Sequence, residues 1–386
     1  MNSDATSMVL IPVAVLLALA LVAPGPQRPS VAKAFLVVAT IFGVLLAARS
    51  LVPDDLLWPD SEAARRGRWA VRHLEKNPGW ENHPVVILTG SSATLFGIDP
   101  ISVEEKLGQS GTPATILSFS MAGATFLERR HMLESFLRQL GTEGRGKLAG
   151  TRVVFLNEVF DAYDRNPLYR FEKEAFSERV IQFLNPSNAW RAWKAYAKQL
   201  ETEPELPRWS AAVLLGQHVL LNRFAAGTFS AMRWPWSKRK ATKSFFALEK
   251  SEESFDVEKT LALWRKAEDK KTEESSPIAP LPQWDIAYAD LAEPLAPFAR
   301  TKGFYCLPTI EPHRAEYAKG FAAWARANST VIGPPSAADL EPLLRREWWF
   351  DGVHPTGQGT PALNDWFARQ LAASGILGPL QPARAM

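Results

Sequence analysis

The sequence predicts an α/β domain with a parallel central sheet between two helical layers, and three observations point to it. Five apolar, β-branched runs lack the alternation of a half-solvated strand: residues 85–89, 114–119, 152–156, 303–308 and 330–332. Continuous runs of that kind belong to strands covered on both faces. Helical stretches at residues 102–107, 126–140 and 314–328 lie between them and supply the crossovers that parallel neighbours need. Small and polar residues cluster where the runs end, at the carboxyl edge where open parallel sheets hold their ligands.

Residues 1–53 differ in kind from the rest of the chain and read as a membrane anchor of one or two transmembrane helices. They hold two apolar runs, residues 8–23 and 34–52, against the about 20 residues a span requires. The leader "MNSDATS" has no Lys or Arg, unlike the charged start of a signal peptide. A helical hairpin is therefore expected, with a single anchor behind a cleaved or interfacial segment as the alternative. Arg28 and Lys33 between the runs place that loop in the cytoplasm, so everything after Val52 is expected outside it. Arg49, Arg65, Arg66 and Arg68 pull the other way.

Residues 54–84 are a connecting segment with one helix near 61–75, and the sheet domain is expected in residues 85–159 and 285–386. In the helix from residue 126, Phe126, Leu133, Leu137 and Leu140 share one side, with Glu128, Ser135 and Arg138 opposite. Residues 160–284 break the strand–helix rhythm and read as a helical insertion followed by a flexible, charged linker. Within it Trp234 and Trp236 stand beside Lys238, Arg239 and Lys240, a combination that suits a bilayer interface. The polar interruptions Gln217, His218, Asn222 and Arg223 favour the plainer reading, a helix packed on the domain.

Composition excludes several classes. Lys+Arg 44 against Asp+Glu 41 leaves a net charge of +3, too balanced for a nucleic-acid partner. One cysteine, Cys306, rules out an internal disulfide framework, and none of the six histidines forms a His-x-x-x-His pair. No metal and no cofactor are expected.

What remains is hydroxyl and imidazole chemistry. The first run ends in Gly90-Ser91-Ser92, and Asp351 and His354 stand three apart after the last. In that order both pairs fall on one sheet edge, where a carboxylate can orient an imidazole and the imidazole can deprotonate a serine. Gly123 follows the second run and Asn157 ends the third, positions from which a backbone N–H and a side-chain amide can serve an oxyanion. Glu311, His313 and Arg314 follow the fourth run and reach the same edge. Each has a plainer reading: Ser92 as a helix cap, Gly123 and Asn157 as turn residues, Glu311 and its neighbours as a solvated helix start.

Taken together these blocks resemble the SGNH hydrolase superfamily: a Gly-x-Ser after the first strand, a glycine, an asparagine, and a carboxyl-terminal Asp-x-x-His. The resemblance spans residues 85–375 with the insertion as an interruption. It implies a three-layer SGNH-type domain with Ser92 as nucleophile, His354 as base, Asp351 as its acid partner, and Gly123 and Asn157 in the oxyanion hole. Two departures stand out: Gly-Ser-Ser replaces the commoner Gly-Asp-Ser, and "LNEVFD" lacks the usual Gly-x-Asn-Asp setting. "GSSATLFGIDP" with "SFSMAGAT" is similar to the membrane-anchored branch, D-alanyl transfer and polysaccharide O-acetylation proteins. That branch implies O-acylation of an envelope or exported polysaccharide, an acyl donor relayed by a multipass membrane O-acyltransferase, and a domain facing the periplasm or cell exterior. A carbohydrate esterase, or a non-catalytic glycan-binding assembly subunit on the same scaffold, are the alternatives.

Overall fold

In this computed structural model the described residues are 61–159, 277–280 and 282–378, with isolated positions between 40 and 262. The expected anchor at residues 1–53 and nearly all of the insertion, including Trp234, Trp236, Lys238, Arg239 and Lys240, lie outside them. Among the described residues no helix is long and apolar enough to cross a membrane. The chain divides into two compact units, residues 1–64 with 170–240 and residues 65–169 with 241–386; the whole sheet belongs to the second.

Helix α1 (Glu62–Lys76) precedes the sheet. Its Gly67 faces Gln139, whose Nε2 would lie 2.5 Å from an added Cβ. Five strands follow: β1 (Val85–Gly90), β2 (Thr115–Ser120), β3 (Val153–Glu158), β4 (Ala299–Tyr305) and β5 (Thr330–Ile332). They pair in the order β2-β1-β3-β4-β5, every pairing parallel. The expected runs thus fall in the strands, except that β4 starts earlier than its run and ends at Tyr305, leaving Cys306, Leu307 and Pro308 outside it. The first three strands are buried at every position, as unalternated runs require.

Helices cover both faces. Strand alternation sends Val86, Leu88, Val154, Leu156 and Tyr305 to one side, where they meet Val103 and Leu107 of α3 (Pro100–Gln109) and Trp366, Phe367 and Leu371 of the last helix, α8 (Thr360–Ala373). Between β1 and α3 lies a single short helix, α2 (Ser92–Gly97). The opposite face is aromatic. Phe119 of β2 packs on Phe136 of α4 (Phe126–Gly150), and Phe304 of β4 packs on Tyr288 of α5 (Pro282–Ala292) and on Phe321 of α6 (Pro312–Ala325). A one-turn helix α7 (Ala337–Leu340) follows β5.

Two expectations need correction. The first turns of α4 are buried all round, with Glu128 and Ser135 inside as well as the apolar residues. Glu128 is consumed locally: Thr125 and Glu128 form a reciprocal capping box that satisfies the helix's first donors. Helix α5 begins where a flexible linker was expected, with Pro282 in the first turn, a position that tolerates its missing N–H.

The strand order reverses direction between β1 and β3, since the chain moves outward to β2 from one and to β4 from the other. Such a switch point opens a crevice outside the carboxyl ends of the strands. Gly90 and Glu158 are the terminal residues of those two strands.

Candidate active site

At the carboxyl end of β1 one residue, Ser91, converts strand into helix. Its extended backbone and its hydroxyl, which accepts the Ala93 N–H at 3.3 Å, make it the cap of α2. Helix α2 leaves so close to the sheet that a Cβ on Gly90 would lie 2.6 Å from Thr94 Cβ and 2.7 Å from Glu158 Oε2. The strand therefore ends in glycine because helix and carboxylate occupy the space a side chain would fill.

Ser92 is the first residue of α2, and its Oγ lies 2.7 Å from His354 Nε2. The other ring nitrogen, Nδ1, lies 2.6 Å from Asp351 Oδ2. The second carboxylate oxygen, Oδ1, accepts the N–H groups of Val353 and His354, each at 2.8 Å. Burial opposes ionisation of Asp351, but its hydrogen bond and charge interaction with His354 and the two backbone donors together outweigh burial and hold the carboxyl below its ordinary range. An ionised Asp351 accepts a hydrogen bond from Nδ1–H, which fixes the proton on Nδ1 and leaves the lone pair of Nε2 facing the Ser92 hydroxyl.

The loop that carries Asp351 and His354 is closed on itself. Trp349 and Pro355 form an antiparallel bridge, the Phe350 N–H donates to His354 O at 2.9 Å, and the Thr356 N–H donates to Trp348 O at 2.8 Å. Trp349, fully buried, anchors the base of the loop through its indole N–H, which donates to Leu343 O at 2.8 Å. The loop tip is held from β4's side: Gly352 O accepts the Ile310 N–H and the Thr309 hydroxyl, both at 2.9 Å. Glu311 packs against the same glycine, whose added Cβ would meet Glu311 Oε1 at 2.8 Å. It also pairs with Arg314 and lies 3.5 Å from His313 Nε2. Glu311 thus stands beside the Asp351–His354 loop as the residue that precedes α6, while His313 is mostly exposed, which fits the plainer expectation of a solvated helix start.

Gly123 lies in the turn after β2, where the Ala124 N–H donates to Met121 O at 3.0 Å. Its φ of 59° is left-handed, which the turn's third position requires and glycine supplies. The Met121 N–H donates to Gly90 O at 3.3 Å, so this turn is stitched to the end of β1.

Asn157 is not brought to the serine. It belongs to β3 itself, and strand alternation sends it to the face of α4 while Glu158 points to the face of α2. There its carbonyl accepts the Thr89 hydroxyl at 2.9 Å and Arg129 Nη1 at 2.8 Å, and its amide donates to Glu158 O at 3.0 Å. It is a buried hub that ties β1, β3 and α4 together.

Several residues beside Ser92 carry no signal in the sequence motifs. Glu158 accepts both the backbone N–H of Ser91 and, at 3.1 Å, its hydroxyl. Thr94 and Tyr305 share a hydrogen bond of 2.6 Å, and the Tyr305 hydroxyl donates to Thr89 O at 3.1 Å. The Phe96 and His354 rings meet nearly at right angles with centroids 5.8 Å apart, and Phe96 O accepts the Thr360 hydroxyl of α8 at 3.1 Å. The one visible hint was the strand run ending in two consecutive polar residues, Asn157 and Glu158, one of which must face each side of the sheet.

A serine hydroxyl, an imidazole and a carboxylate in line can generate an alkoxide at neutral pH and deliver its proton to a leaving group, the chemistry of acyl transfer. Comparison of the chain with protein-family models and with curated protein sequences finds no match.

Proposed function

We propose that the chain is a membrane-anchored, SGNH-type serine O-acyltransferase that moves an acyl group, acetyl in the simplest case, onto a hydroxyl of an envelope or exported polysaccharide. The observation that carries the serine chemistry is the relay Ser92 Oγ to His354 Nε2 at 2.7 Å and His354 Nδ1 to Asp351 Oδ2 at 2.6 Å. The membrane and glycan parts rest on the apolar runs of residues 1–53 and on the family resemblance of the Gly-Ser-Ser and Asp-x-x-His blocks.

In this reading His354 Nε2 takes the Ser92 proton as Oγ adds to the carbonyl carbon of the acyl donor. The oxyanion is received by the Ser92 N–H, which has no hydrogen-bond partner among the described residues, and by the backbone of the Gly123 turn. Collapse expels the donor's leaving group, which collects the proton from Nε2, and leaves an acyl-serine. A sugar hydroxyl then gives its proton to Nε2, attacks the ester and departs acylated, restoring Ser92. An acyl donor relayed through a multipass membrane partner would deliver its cargo to this edge.

Hydrolysis is the second reading, favoured by one observation: the His354 and Asp351 side chains are 21% and 31% exposed, so water reaches the relay. With water as acceptor the same acyl-serine makes a carbohydrate esterase.

The test pairs a fluorophosphonate probe on the full-length protein with the O-acyl content of the glycan in complemented cells. Ser92→Ala should lose both labelling and the change in acyl content, and the sign of that change separates transfer from hydrolysis. A folded Ser92→Ala protein that restores full acylation would replace the enzyme with a non-catalytic assembly subunit.

A further inference from the structure

We propose that Glu158 is a positioning residue for the nucleophile: its carboxylate clamps Ser91, and through Ser91 it fixes the direction in which Ser92 faces His354. The inference rests on the serine-enzyme reading and adds a residue to it.

The geometry begins with the weakness of α2. A helix of six residues has almost no stability of its own, so the pose of its first residue depends on how its start is held. Ser91 holds it, and Ser91 is itself held at two points by one carboxylate. Its backbone N–H donates to Glu158 Oε2 and its hydroxyl donates to Oε1 at 3.1 Å, leaving the hydroxyl's lone pairs for the Ala93 N–H. Ser91 and Glu158 are both buried, so neither donor can turn to solvent if the carboxylate is removed. Gly90 makes room for this contact, because any side chain there would collide with Oε2.

The clamp belongs to a wider network. Arg129, fully buried, donates to Ala124 O at 3.2 Å, to Asn157 Oδ1 at 2.8 Å and to Glu158 O at 3.3 Å. One guanidinium thus joins the residue after Gly123 to the end of β3, while the Glu158 carboxylate joins the end of β3 to the nucleophile turn. Burial holds the Tyr305 hydroxyl well above the usual phenol range; nearby Glu158 pushes the same way, and the Thr94 hydrogen bond and Arg129 oppose it. Tyr305 therefore stays protonated and donates to Thr89 O, closing the network beneath α2. Glu158 touches neither the Ser92 hydroxyl nor His354 among the described residues, so its effect passes through Ser91.

Two variants test this, Glu158→Gln and Ser91→Ala, each measured in the full-length protein as the second-order rate of fluorophosphonate labelling per folded molecule, with folding read by thermal melting. Gln keeps the shape but turns an NH2 toward one of the two Ser91 donors. Its labelling rate should fall by roughly a hundredfold, the scale of an ångström-sized misplacement of a reacting group. The pH profile of the residual rate should match wild type, because the His354 and Asp351 pair is untouched. Ser91→Ala should lose a smaller factor, and the double variant should be no slower than Glu158→Gln alone, the signature of two residues acting as one device. A Glu158→Gln protein that labels at the wild-type rate per folded molecule overturns the inference, as does a shifted pH profile. Should Glu158→Gln not fold, Ser91→Ala decides: a wild-type rate there overturns it and a reduced rate sustains it. An unlabelled wild type removes the serine-enzyme reading and this inference with it, whereas a labelled wild type equalled by Glu158→Gln removes this inference alone.

Discussion

Asp351 divides its two oxygens between two tasks, one holding the loop backbone and the other the imidazole. Asp351→Asn keeps the first and inverts the second, because an amide NH2 facing Nδ1 favours the wrong tautomer; labelling at Ser92 should drop by about 10⁴-fold with little change in fold. The same carboxylate carries a pH signature. Its folded pKa lies below the ordinary carboxyl value of 3.8, so its stabilising contribution is complete above that value and is lost as pH falls through the depressed one. Melting curves at neutral pH and below about pH 3.8 should therefore show wild type losing more stability than Asp351→Asn. Equal losses would mean that Asp351 is not held ionised by His354 and the loop. Of the residues in the relay, Ser92, Asp351 and His354 were legible because their order along the chain and their place at strand ends constrain them jointly. Motif position alone separated Ser92 from Ser91; the folded turn adds the physical difference, since Ser91 caps α2 and Ser92 faces His354. Asn157 misled for a physical reason: a polar residue at the end of a run reads as a loop residue, but the strand continues through Glu158 and alternation turns it away.

The element that matters most is the join of β1 to α2, where close approach replaces a loop. Gly90→Ala places a methyl against Thr94 and Glu158, and overpacking of this kind costs about 1–3 kcal/mol. Chemical denaturation should register that loss, and labelling should fall further than stability alone explains because the displaced groups are those that hold the turn carrying Ser92. A Gly90→Ala protein as stable and reactive as wild type would mean that the turn relaxes freely. Strands were the most legible elements, since β1, β2 and β3 are apolar runs buried at each position. Strand β4 began earlier than its run suggested, because Arg300, Thr301 and Lys302 are partly or fully exposed and break the apolar signal. Helix α5 was hidden by the prolines of "PIAPLPQW", which read as linker although one of them starts the helix. The single-sided pattern expected of α4 failed for the converse reason: its first turns lie under the sheet's polar network, so Arg129 and Arg130 are as buried as Met132 and Leu133.

At the scale of the whole molecule, strand order places the chemistry. Because the sheet reverses between β1 and β3, the Ser91–Ser92 turn, the Gly123 turn and Glu158 gather at one edge of the sheet, and the chain returns after β5 to bring Asp351 and His354 to it. Ser92 and His354 are 262 residues apart in sequence, so only the topology could join the two blocks. The order of strands is not written in the runs themselves, which is why the sequence supported a parallel sheet but not its switch point. If this arrangement makes Ser92 a nucleophile, the adduct of an electrophilic probe must form there. The most direct measurement is to treat the intact full-length protein with a fluorophosphonate, digest it and locate the adduct by peptide mass spectrometry. A single adduct on Ser92 is expected, absent from Ser92→Ala and strongly diminished in His354→Ala. An adduct on Ser91, or labelling that survives intact in Ser92→Ala, would contradict it.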